Sequence, residues 1–71
     1  MSEQTKKVGE RIRLIRMSKD IPQAIVAESI GVSQSLLSNI ESGRCNVTLD
    51  NLIKLHDVLK CPMRDFFVDI D

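Results

Sequence analysis

The sequence has no tryptophan and no tyrosine, and its only aromatic side chains are Phe66 and Phe67 near the C-terminus. Its two cysteines, Cys45 and Cys61, cannot supply the dense disulfide framework of a small secreted domain. A single histidine, His56, leaves no His-pair metal site, and Cys45, His56 and Cys61 fall at no zinc-ligand spacing. Glycine is scarce and nowhere clustered into a phosphate-cradling loop. No apolar run approaches the roughly 20 residues of a membrane span, and the N-terminus shows no signal-peptide core. No nucleophile–base pair or acidic dyad can be placed, so an enzyme is not expected. These absences predict a cytoplasmic binding module with no metal and no cofactor.

At 71 residues the chain has room for one small core, and residues 1–71 are expected to form a single domain. Apolar residues at 42% and charged residues at 28% place it among globular rather than disordered sequences. The formal net charge is zero, which at first argues against a polyanionic partner, but the charges are unevenly spread. Lys6, Lys7, Arg11, Arg13, Arg16 and Lys19 crowd the N-terminal quarter against only Glu3 and Glu10, while Asp65, Asp69 and Asp71 gather at the other end. Either one end faces phosphate or the surface is simply mixed and solvated; charge alone favours the second.

Hydrophobic spacing predicts five short helices and no strands. Val8, Ile12 and Ile15 recur at the period of one buried helical face, giving a first helix from about Thr5 to Ser18 that breaks at Asp20-Ile21-Pro22. Pro22 suits the opening of a second helix, Gln23 to Ile30, which Gly31 ends. Ser33 is placed to cap a third, Gln34 to Glu41, and Thr48 a fourth that runs to about Lys60 with Leu49, Leu52, Leu55 and Leu59 as its apolar stripe. Pro62 opens a fifth helix through Phe67.

The second and third helices carry the chemistry. In Gln23–Ser42 a small residue, Ala27, stands where two steeply crossed helices must touch, Gly31 suits a positive-φ turn, and Val32 can plug the gap behind it. Leu37 and Ile40 then point inward, leaving Gln34, Ser35, Ser38 and Asn39 on the outer face, with Leu36 at its edge. That face is short, uncharged and rich in hydrogen-bonding groups, which suits the floor of a DNA major groove.

Here the sequence resembles the Xre-type helix-turn-helix proteins, the family that includes phage repressors and Cro. The resemblance runs from about Val8 to Phe67. It is carried by VGERIRLIR (8–16), the Gln23…Ala27…Gly31-Val32-Ser33 spacing, LLSNIESGR (36–44) and TLDNLIKLHDVLKCPMRDFF (48–67). It implies an all-α, five-helix, phage-repressor-like fold that binds double-stranded DNA. By this resemblance Gln34, Ser35 and Asn39 match base-reading positions, with Ser38 beside them. Gln23 matches a glutamine that contacts phosphate and braces the recognition helix. Ser33, Arg44, Asn46 and Thr48 flank that helix as phosphate-contact candidates, although capping alone also accounts for the serine and the threonine. Leu36 either meets a thymine methyl or faces a partner. Three positions depart from the family pattern: Pro22 replaces a capping Ser or Thr, His56 stands where alanine is usual, and Cys61 where valine is usual.

One recognition helix with few cations nearby binds DNA weakly, so a homodimer reading an inverted repeat is expected, half-sites being about 34 Å apart. Residues 49–67 are the expected dimerisation region, with Ile53, Met63, Phe66 and Phe67 as its apolar surface and Val58, Val68 and Ile70 as further candidates. Phe66 also stands as a core residue. No small-molecule effector is expected, because there is no second domain to form its pocket. The size fits phage-type repressors and the controller proteins of restriction–modification systems; the competing reading is an antitoxin or other module whose partner is a protein. Arg16 and Glu41 match a family ion pair between the first and third helices. Losing one partner of a buried pair costs about 3–5 kcal/mol, a large share of a small domain's stability. Glu41→Ala is therefore expected to unfold the domain rather than change its site preference, and a melting temperature equal to that of the parent chain would refute the assignment.

Overall fold

The computed structural model describes residues 2–68; Met1 lies outside the described residues, as do Asp69 and Asp71 of the acidic end and Ile70 of the apolar patch. Among the described residues the chain forms four α-helices, α1 (Glu3–Ser18), α2 (Gln23–Ile30), α3 (Gln34–Glu41) and α4 (Leu49–Leu59), and no strand. The fifth helix expected from the sequence is instead a 3-10 turn, Met63–Phe67. Pro62 starts it from an extended conformation, with the Asp65 amide bonding the Pro62 carbonyl at 3.0 Å. Five residues are too few to repay the nucleation of an α-helix, so the segment takes the tighter i→i+3 pattern that drops Phe66 into the core.

The boundaries follow from capping chemistry. Helix α1 begins at Glu3, two residues before the expected start, because the Ser2 hydroxyl accepts the Thr5 amide at 3.1 Å and Glu3 sits at the positive end of the helix dipole. Ser33 and Thr48 cap α3 and α4 as expected, accepting the Leu36 and Asn51 amides. Pro22 gives α2 no side-chain cap. Gly31 closes α2 at φ 78°, and the Val32 amide reaches back to the Ala27 carbonyl at 3.0 Å. Lys60 ends α4 at φ 53°, and His56 Nδ1 bonds the Cys61 carbonyl just beyond it, so the departing histidine secures the chain reversal there.

The core is aliphatic around one phenylalanine. Ile12 and Ile15 of α1, Val26, Ala27 and Ile30 of α2 and Leu37 and Ile40 of α3 meet Leu52, Leu55 and Leu59 of α4. Phe66 seals the α1 side, held there partly by the Arg11 Nε donating to the Asp65 carbonyl at 2.9 Å. Cys61 is buried with it, and burial, helped by the Asp65 carboxylate, pushes its thiol up from the ordinary range and away from reactivity. Two expectations are corrected. Leu49 leaves the α4 stripe and is 69% exposed, because it is the first residue of the helix and lies on its flank rather than over the core. Phe66, taken also as part of an intersubunit surface, is completely buried within the single chain and has no face left to offer.

The contact that sets α3 on α1 is one of backbone. A Cβ added at Gly9 would stand 2.1 Å from the Ile40 carbonyl oxygen, so the two helices touch with nothing between them. At Gly31 the same addition would meet nothing within 4 Å, and only its positive φ selects glycine. The two substitutions therefore separate. Alanine favours a helix over glycine by about 1 kcal/mol, yet Gly9→Ala is expected to destabilise the domain by about 3 kcal/mol through the clash. Gly31→Ala is expected to cost about 1–2 kcal/mol. Thermal melts of both variants check this, and a Gly9→Ala chain as stable as the parent would refute the crossing.

Candidate nucleic-acid interface

The ion pair anticipated between Arg16 and Glu41 is present and bidentate: Arg16 Nε reaches Glu41 Oε2 at 2.8 Å and Nη2 reaches Oε1 at 3.0 Å. The remaining arginine nitrogen, Nη1, donates to the Ile21 carbonyl at 2.9 Å, so the guanidinium also ties down the loop before α2. The carboxylate of Glu41 is only 3% exposed and its partner 12%. Such a group is tolerable in a core only when its oxygens are satisfied, and a third donor completes the set: Gln23 Nε2 donates to Glu41 Oε1 at 3.1 Å.

That third bond orients the outer surface. A carboxylate can only accept here, so Gln23 must turn its amide nitrogen inward and its oxygen towards α3. Gln34 Nε2 donates to Gln23 Oε1 at 3.4 Å, a long bond, and is left presenting its own oxygen and one N–H outward. The arrangement runs from Arg16 through Glu41 and Gln23 to Gln34, from the core to the exposed face, with the donor and acceptor sense fixed at each step.

Around Gln34 the structure brings the other expected readers together. Gln23, Gln34, Ser35, Ser38 and Asn39 line one shallow depression of about 440 Å³. Gln34, Ser35 and Ser38 are exposed and Asn39 is half-buried, while Leu36 sits on the rim of α3. Beside it lies a second recess of about 260 Å³, bordered by Arg13, Arg16, Gln23, Ser38, Glu41 and Ser42. Gln23 and Ser38 belong to both, so the two hollows form one continuous surface.

The flanking candidates are placed less uniformly. Arg44 is exposed just past the end of α3, its backbone amide bonded to the Asn39 carbonyl at 2.9 Å. Asn46 accepts a 2.7 Å hydrogen bond from Thr5 Oγ1 on its Oδ1, which turns its amide nitrogen away from α1. Ser33 and Thr48 have their hydroxyls engaged as helix caps. The sequence reading missed Arg13, Ser42 and Thr5. Arg13 had a signal: Gly9, Arg13 and Arg16 fall at i, i+4 and i+7, along the flank of α1 that faces α3.

Of the apolar surface expected between subunits, Ile53 and Phe67 are 46% and 42% exposed, and Met63 is half-buried. Leu49 joins them, one turn before Ile53 on the same flank of α4. Among the described residues no helix is long and apolar enough to cross a membrane.

Comparison with known proteins agrees with this geometry. The helix-turn-helix family model matches residues 12–66, and the chain belongs to that family, the Xre-type class of DNA-binding transcriptional regulators. Control protein C.MunI from a Mycoplasma species is 33% identical over 64 residues, covering 89% of this chain and 86% of that protein. The crystal structure of the restriction–modification controller protein C.AhdI from Aeromonas hydrophila superposes with a TM-score of 0.87 at 32% identity, covering 93% of this chain and all of the other. The clp gene regulator ClgR from C. glutamicum gives 0.88 at 25% identity, covering 96% and 88%. A longer Methanocella arvoryzae protein, assigned as an HTH-type transcriptional regulatory protein, is 36% identical over 55 residues, and the matched part is 17% of its length.

Proposed function

We propose that this chain is a homodimeric, sequence-specific regulator that reads an inverted-repeat operator by laying α3 in the major groove, acting as a repressor or as a controller of the restriction–modification type. The observation that carries the reading is the outer face of α3, where Gln34 has its amide oriented from the buried Glu41 carboxylate. In that sense it offers one acceptor and one donor outward, the pair that matches adenine N6 and N7. Ser35, Ser38 and Asn39 extend the readout, and Gln23, Arg44 and Asn46 hold the backbone on either side. Gln23 stands at the uncapped start of α2, where the helix dipole adds to its attraction for a phosphate.

Leu49, Ile53, Met63 and Phe67 supply the dimer surface. The protomer measures 30 × 23 × 20 Å, which suits two copies whose recognition helices reach grooves about one helical turn, ~34 Å, apart. The similarity to C.AhdI and C.MunI supports the controller reading in particular.

Selection of random duplex DNA by the purified protein tests the reading directly. An enriched inverted repeat with half-sites about one turn apart is the expected outcome, and enrichment of nothing at low salt would overturn it. On the selected site, Gln34→Ala and Asn39→Ala are each expected to lose about 1–3 kcal/mol of discrimination at one base pair per half-site, with unchanged melting temperature. Phe67→Glu is expected to sediment as a folded monomer and to lose specific binding; a dimer that still binds would remove Phe67 from the interface.

A further inference from the structure

We propose that Arg13 is a DNA-backbone anchor supplied by α1, so that the protein grips phosphate with its first helix as well as with the segments flanking α3. The inference rests on the DNA-binding reading and adds a contact to it.

The position of Arg13 is set by the helix crossing. Arg13 lies one turn after Gly9, the residue in backbone contact with Ile40, and is thereby brought to the edge of α3. It borders the recess shared with Gln23 and Ser38, the two residues that also border the base-reading depression. Its guanidinium therefore opens on the same face as Gln34.

Unlike its neighbours, Arg13 is unspent. All three nitrogens of Arg16 are committed to Glu41 and Ile21, and Arg11 donates to the Asp65 carbonyl. Among the described residues, the exposed side chain of Arg13 has no hydrogen bond and no ion pair. The one carboxylate in the recess, Glu41, is already matched by Arg16, so an anion entering there meets an uncompensated positive charge. Lys6 stands two turns before Arg13 on the same flank, against Gly43 at the end of α3, and prolongs the positive edge by about 10 Å.

The need is physical as well. Helix α3 carries no cation of its own, and the whole chain has a formal net charge of zero. Affinity for duplex DNA comes largely from neutralised phosphates and released counterions, so each local cation at this face carries weight.

Salt dependence tests the assignment. Binding of the parent chain and of Arg13→Gln is measured on the selected operator and on an unrelated duplex from 50 to 200 mM salt. One lost phosphate contact in each protomer lowers the slope of log K against log salt by about 1.8 for the dimer, so the variant should lose about tenfold less affinity over that range than the parent does. The loss at low salt should be equal on both duplexes, and Arg13→Lys should restore the slope. Unchanged affinity and slope in Arg13→Gln, with the parent binding normally, would make Arg13 a solvated surface cation. A loss confined to one base pair would make it a base reader. Either result overturns the proposal while leaving the DNA-binding reading intact, whereas a parent chain that binds neither duplex overturns both.

Discussion

The buried ion pair between Arg16 and Glu41 organises the molecule. A carboxylate removed from water at the end of α3 must be satisfied, and the three groups that do so come from the end of α1 and the start of α2. The same arginine fixes the Ile21 carbonyl, so the loop entering α2 is set by the same pair. One charge thus determines how three helices meet at the end of the domain where the polar surface lies. Replacing such a pair with apolar side chains is often neutral for stability. What an apolar substitute cannot do is orient an amide, and this carboxylate gives Gln23 a single sense.

Much of the architecture was legible from residue spacing. The period of Ile12 and Ile15, the glycine at 31 and the capping hydroxyls at 33 and 48 each encode a local preference with one structural outcome. The errors fell where local preference is weak. Leu49 stands three residues before Leu52, but as the first residue of α4 it lies on the flank shared with Ile53 rather than over the core. The segment after Pro62 has helix-compatible residues but not the length, and burial of Phe66 decided its conformation. The sequence placed Phe66 both in the core and on the subunit surface; packing against α1 leaves it the first role alone.

The candidate surface was legible for a different reason. Its polar side chains sit mostly on one helix, so helical geometry alone groups Gln34, Ser35, Ser38 and Asn39. Residues contributed by other helices were harder to find. Gln23 was placed through family resemblance, Arg13 left only the faint signal of its spacing from Gly9 and Arg16, and Thr5 emerges only when α1 is docked on the loop that follows α3. The Xre-type regulators share the frame, and the departures at Pro22, His56 and Cys61 are absorbed by it: an open helix end, a bond across the turn after α4, and a small buried thiol.

The contact at Gly9 has a bearing on how such a protein can change over time. Because α1 and α3 meet backbone to backbone there, no side chain sets the spacing of the two helices at that crossing. Leu37 and Ile40 still pack into the core from α3, so a change in core volume reaches the helix from its other side. The outer residues Gln34, Ser35 and Ser38 of α3 lie exposed and away from that crossing, and can change without disturbing it. A crossing fixed at Gly9 thus leaves the outer face of α3 open to substitution without loss of the docking of the helix.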